Sequence, residues 1–244
     1  MPARPRALAP APATPPRLWV SRYTVCTRPG CSQGCRELAG ALKQQARRLG
    51  LEVEVEPTLS LCRSRCRGGP YVGMPQLGLF YAGLRPEEAA ELLAETSLQG
   101  RMLFHRLYLS PRVVTDSRLV WDKEEHLLVL LEADYCLVEA AGYLLDFHAA
   151  ASCGKCFPCR LGVPRLQAIL RRLMAGESDQ AELAELERLA RLLARDTYCE
   201  FGPKVTAPLR LALERGGDLF QRHLEGGCPP GELHLFPPPP GGRP

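Results

Sequence analysis

The sequence predicts an α/β domain over residues 17–100, followed beyond a connector by an all-α helical bundle. Three observations carry this. Strand-type and helix-type patterns alternate up to Gly100, a 3.6-residue apolar period takes over after residue 131, and eight of the eleven cysteines fall into two compact groups, one in each part.

Composition narrows the class. With 45% apolar and 24% charged residues in 244, the chain has the make-up of a soluble globular protein long enough for two modest domains. A net charge of +4, from basic residues spread along the chain, makes no nucleic-acid-binding stripe. No apolar run reaches the length of a membrane span and no secretion signal opens the chain, so direct membrane insertion is not expected and the expected location is the cytoplasm. In a reducing compartment eleven cysteines argue for metal ligation before disulfides.

Residues 1–16 are rich in Pro and Ala without an apolar period, which predicts a flexible tail. A strand follows over Arg17–Val25 and runs into Cys26, which with Cys31 makes C-x4-C. The helix after it covers Gln33–Leu49 and stops at Gly50, a residue suited to a left-handed cap. LEVEVEP alternates apolar and charged residues, the pattern of a strand with one buried face. Cys62 and Cys66 then make C-x3-C. Two short strands, Tyr71–Met74 and Leu79–Ala82, flank a turn, and Pro86 with Glu87 and Glu88 opens a helix ending near Gly100.

Strand, helix, strand, long loop, hairpin, helix is the order of a thioredoxin-like domain. With its cysteine pairs and the stretch YVGMPQLGLFYAGLRPEEAAELL, this part resembles the thioredoxin-like [2Fe-2S] ferredoxins, including the small subunit of NADH:quinone oxidoreductase. The resemblance implies a [2Fe-2S] cluster on Cys26, Cys31, Cys62 and Cys66. Cys35, one helical turn beyond Cys31, is an alternative ligand, and two short cysteine pairs also suit zinc.

Residues 101–130 are β-prone and read as a structured connector. Beyond them Leu166, Ile169, Leu170 and Leu173 share one helix face, as do Leu183, Leu186, Ala190 and Leu193. Gly176 separates these helices, and Ser178 or Asp179 can cap the second. A last helix carries Leu209, Leu213 and Phe220 and is expected to break at Gly216 and Gly217. The helical domain spans 131–226, and residues 227–244 read as a Pro-rich tail in which Leu233, Leu235 and Phe236 could dock on a partner. Cys35, Cys136 and Cys228 read as small buried hydrophobes. His148, near the cysteine motif, reads as a helix-end residue, and His105, His126, His223 and His234 show no metal-ligand spacing.

SCGKCFPCRLG carries the chemistry of this half. Cys153, Cys156 and Cys159 form C-x2-C-x2-C, which lets one tight turn aim three sulfurs at a single inorganic core, with Cys199 of DTYCEFG as the natural fourth. Gly154 permits close backbone approach, while Lys155 and Arg160 bring positive charge to an anionic group. Zinc also accepts four thiolates, but three clustered cysteines with one remote partner suit an iron–sulfur cube better than paired knuckles. Together with ADYCLVEAAGYLLDFHAAASCGKCFPCRLG and DTYCEFGPKVTAPLRLALERGGDLFQRHLEG, the motif resembles the C-terminal iron–sulfur domain of the flavoprotein subunit of NADH:quinone oxidoreductase. Related domains occur in NAD-linked hydrogenases and formate dehydrogenases. The resemblance implies a [4Fe-4S] cluster on Cys153, Cys156, Cys159 and Cys199.

The sequence shows no G-x-G-x-x-G, P-loop or Ser-His-Asp pattern, and residues 101–130 are too few for the FMN- and NADH-binding domain of that flavoprotein. The expectation is therefore an electron-transfer subunit, not catalytic alone, that relays single electrons between a catalytic partner of flavoprotein, hydrogenase or formate dehydrogenase type and another carrier. A redox- or oxygen-sensing regulator, or a zinc-binding structural protein, is the alternative.

Overall fold

In the computed structural model, which describes residues 17–27, 31, 33–62, 66, 68–108, 113–124 and 126–235, two four-stranded sheets lead into a group of four helices. The expected N-terminal tail and Phe236 lie outside the described residues.

The first sheet has the order β2-β1-β4-β5, with β1 at Arg22–Cys26, β2 at Glu54–Thr58, β4 at Tyr71–Met74 and β5 at Leu79–Ala82. β1 and β2 run parallel, a pairing that demands a crossover, and α1 (Cys35–Arg48) supplies it. Leu38, Leu42 and Ala46 recur every four residues on α1 and are buried in the core of this unit. Gly50 adopts φ 63°, the left-handed stop its position predicts. The helix after Pro86 is less regular than its sequence suggests: a 3-10 turn (Pro86–Glu88) precedes α2 (Ala89–Leu92), and a π-type turn (Leu93–Leu98) follows it. That turn presents Thr96 and Ser97 to the buried hydroxyls of Tyr81 and Tyr23, at 3.0 and 2.8 Å.

At Leu59 the chain leaves the first sheet. β3 (Ser60–Cys62) joins a second sheet of order β3-β8-β7-β6, antiparallel throughout, whose other strands are β6 (Val113–Asp116), β7 (Leu119–Asp122) and β8 (Leu127–Leu130). The expected connector is thus a sheet completed by a strand from the N-terminal part. Both faces of β7 and β8 are covered. Leu61, Leu119, Trp121, Leu128 and Leu130 face the helices, while Cys62, Val120, Leu127, Val129 and Leu131 face the N-terminal cysteines. Burial on both sides explains why the stretch from Leu127 to Leu131 is apolar without alternation. Side-chain hydroxyls join the sheets: Thr24 donates to the Leu131 carbonyl and Thr58 to that of Leu130.

The helices are α3 (Leu137–Ala149), α4 (Val163–Ala175), α5 (Gln180–Asp196) and α6 (Phe201–His223). The predicted leucine faces of α4 and α5 are buried, Gly176 ends α4 at φ 70°, and Asp179 caps α5 by accepting from the Glu182 N–H at 2.8 Å. α6 kinks where the break was expected. Only Gly216 departs from helical angles, where a Cβ would overlap Leu137. The core of this half is not made by helices alone, since the second sheet fills one side of it.

Candidate metal centres

The loop after α3 carries the C-terminal motif. Gly154 turns the chain at φ 63°, and the π-type turn Pro158–Gly162 holds Cys159 buried against the bundle; Cys153 and Cys199 stay exposed. Cys199 arrives from the α5–α6 junction. There the Thr197 hydroxyl lies 3.1 Å from the Leu193 carbonyl oxygen and 3.0 Å from that of Cys199. A side chain at Gly202 would collide with both Leu193 and Thr197, so glycine lets α6 start close against the end of α5.

The thiols act on one another. Burial pushes the Cys159 thiol up to about 11, with further contributions from Cys156, Cys199 and Cys153. Cys156 shifts the other way, below the usual thiol range, because the backbone amides of Cys159 and Tyr198 point at its sulfur. Three cysteines of one loop and a fourth from a distant helix junction therefore share one end of the bundle, where amide donors already favour a thiolate. This donor set fits a cysteine-ligated cluster.

At the other centre, Cys26 ends β1, Cys62 ends β3 and Cys35 begins α1, all buried, with Cys31 and Cys66 packed against them. Cys31 and Cys35 sulfurs are 3.5 Å apart. A bond with Cys26, reinforced by burial, raises the Cys35 thiol above its usual range. Burial moves Cys66 up to about 11, against the Gly69 N–H, which donates to its sulfur at 3.1 Å. Five thiols gather at this centre, and Cys35 touches both Cys26 and Cys31. Residues 28–30, 32, 63–65 and 67 of these loops lie outside the described residues.

A third grouping was not legible in the spacing. Cys136, His223, Cys228 and Glu232 each bring one ligand atom within 4.8 Å of the others. Cys136 is buried as expected, yet its sulfur lies 3.3 Å from Nε2 of His223. Nor do residues 227–235 trail away: Leu233 bridges to Tyr135, and Leu235 is buried on the bundle.

The helical unit that gathers three thiols of one loop and a fourth from a helix junction is also the part of the chain to which a family of iron–sulfur binding regions is similar. More particularly, residues 139–223 match the family described as NADH-ubiquinone oxidoreductase-F iron-sulfur binding region. Among curated relatives, an F-type NADH-quinone oxidoreductase subunit of Rhizobium meliloti (strain 1021) is 28% identical over 185 residues, 75% of this chain and 41% of the relative. NADP-reducing hydrogenase subunit HndC of Solidesulfovibrio fructosivorans is 31% identical over 98 residues, 40% of this chain and 20% of the relative. The chain thus spans less than half the length of these relatives. A solved thioredoxin-like [2Fe-2S] ferredoxin from Aquifex aeolicus aligns with TM-score 0.29 and 23% identity, covering 37% of this chain and 91% of the ferredoxin.

Proposed function

We propose that this chain is an iron–sulfur electron-transfer subunit that relays single electrons between a catalytic redox partner and another carrier. Cys153, Cys156, Cys159 and Cys199 would hold a [4Fe-4S] cluster, and Cys26, Cys31, Cys62 and Cys66 a [2Fe-2S] cluster, with Cys35 beside the latter. The observation that carries this reading is the convergence of the first four thiols inside the stretch matched to an iron–sulfur binding region. A bound cluster supplies one-electron redox chemistry.

The chain's own residues set the conditions for it. Amides of Cys159 and Tyr198 at Cys156, and of Gly69 at Cys66, stabilise negative charge on sulfur and so favour the reduced state. Val120, Leu127, Val129 and Leu131 keep water from the N-terminal thiols. Phe157 and Tyr198, 67% and 96% exposed beside the C-terminal thiols, offer aromatic surface to a partner. Since NADH delivers a hydride and a cluster takes one electron, the partner in this reading carries the flavin, or a metal centre that does the two-electron step. No helix among the described residues is long and apolar enough to cross a membrane, and the proposed location is the cytoplasm.

The test is anaerobic purification followed by iron and sulfide analysis and EPR after dithionite reduction. About six irons per chain and two distinct reduced-state signals are expected for one cluster of each kind. NADH alone should not bleach the visible absorption. Stoichiometric zinc in place of iron at both cysteine sets, or rapid bleaching by NADH without a flavoprotein, overturns the reading.

A further inference from the structure

Cys136, His223, Cys228 and Glu232 come from three segments: the residue before α3, the end of α6, and the loop beyond it. We propose that these four side chains form a separate, closed zinc site that pins residues 226–235 to the helical bundle.

Geometry is the first argument. Cys136 Sγ lies 3.3 Å from His223 Nε2, Cys228 Sγ 3.4 Å from Glu232 Oε2, and His223 Nε2 3.7 Å from Glu232 Oε2. Zinc bonds of about 2.3 Å to sulfur and about 2.0–2.1 Å to nitrogen or oxygen give a tetrahedron edges of about 3.5 Å from sulfur to nitrogen or oxygen and about 3.4 Å from nitrogen to oxygen. The side chains already stand at nearly those separations.

Orientation is the second. His223 is fully buried, and its Nδ1 donates to the Leu219 carbonyl at 2.7 Å, one turn back along α6. That bond places the free lone pair on Nε2, the atom aimed at Cys136, which is how protein carbonyls fix metal-binding imidazoles. Cys136 likewise receives the Glu139 N–H at 3.4 Å, a donor that favours the thiolate a metal needs.

The donor set selects the ion. Two thiolates, an imidazole and a carboxylate suit zinc, whereas calcium and magnesium require oxygen shells. Four protein ligands leave no position for substrate, which makes the role structural. α3 measures about 20 Å along its 13 residues and separates Cys136 from the Cys153 loop, so the two sites share no ligand.

Surrounding contacts show what the ion would lock. The Cys136 N–H donates to the Leu233 carbonyl and the Leu233 N–H to that of Asp134, both at 2.9 Å, while the Leu235 N–H reaches Glu139 Oε2 at 2.6 Å. Gly227 lies against Gly176, with no room for a Cβ on either residue. This lash of backbone bonds is short, and zinc at its base would hold both ends of it.

The experiment uses the full chain, purified without oxygen, with zinc and iron measured together and the zinc K-edge absorption recorded. One zinc per chain with two sulfur and two nitrogen or oxygen neighbours is expected. Cys228→Ser and Glu232→Gln should each lower zinc about tenfold or more while iron content and visible absorption stay unchanged. Both should also speed proteolysis near Gly226. Glu232→Gln keeps the test open should Cys228→Ser fail to fold. A folded wild-type chain without zinc, an all-sulfur zinc shell, or zinc retained in both variants overturns the proposal. Loss of iron with this zinc in place would instead strike the electron-transfer reading and leave the zinc site standing.

Discussion

Cys62 faces Leu127 across the β3–β8 ladder, so a cysteine of the N-terminal centre is seated by a strand that follows the expected domain boundary at Gly100. Its neighbour Leu61 points the other way, into the helix core. A fragment ending at Gly100 would strip β8 from β3 and uncover Cys62, Tyr71 and Phe80, all buried with residues of β7 and β8. We expect residues 17–100 to aggregate or to lack the N-terminal reduced-state signal that the full chain gives in the proposed assignment. The same signal at the same intensity in this fragment would show that the second sheet is dispensable to this centre.

Trp121 lies under the bundle with no solvent exposure, on the opposite face of β7 from Val120. Trp121→Ala should cost about 3–5 kcal/mol through lost contact and the cavity left behind. The thermal midpoint of the full chain measures this. A shift of only a degree or two would mean that the sheet and the helices are not packed as one core.

Thr58 ties the two sheets through the Leu130 carbonyl in a buried position. Thr58→Val keeps the shape and removes the donor, so a loss of about 1–2 kcal/mol is expected in the same assay. No loss at all would indicate that the Leu130 carbonyl finds another donor.

Local patterns were legible wherever neighbours in sequence decide the outcome. Tyr71–Met74 and Leu79–Ala82 are strands as read, α1 stops just short of a left-handed Gly50, and Asp179 caps α5, because turn chemistry and periodicity act over a few residues. Ser152 to Gly162 announced its thiols for the same reason. Long-range pairing was not legible. β3 is three residues long and breaks away from β2 at Leu59, and nothing local tells Leu61 that its partner is Leu128. Cys136 and His223 are likewise brought together only by the packing of α3 on α6. Glu232, just past a Pro-Pro-Gly run that reads as a loose tail, gave no signal of its own.

His148 near the end of α3 has a buried Nε2 without a hydrogen-bond partner. Burial, with the charge of Lys123 adding to it, holds this imidazole below its usual range. The unfolded chain therefore binds a proton as pH falls through about 6.5 while the folded chain resists. By linkage, the stability tied to His148 is complete above that pH and declines below it. His148→Leu should flatten the thermal midpoint between about pH 7 and pH 5 relative to wild type. Parallel profiles would assign the slope to another group.

Cys199 stands between Thr197, which anchors the end of α5, and Glu200, which precedes α6, so a ligand bond from it would clamp the helix junction to the Cys153–Cys159 loop. Metal binding of that kind is folding free energy, because the unfolded chain offers no assembled site. Cys199→Ser should abolish the reduced-state signal of the C-terminal centre, lower iron by about four atoms per chain and reduce the thermal midpoint by more than removing an exposed thiol could. The N-terminal signal should persist, since none of the ligands proposed for that centre lies beyond Cys66. A variant that keeps all its iron and both signals would show that the fourth ligand is some other residue, and the clamp between the α5–α6 junction and the loop would then have to be sought elsewhere on the bundle.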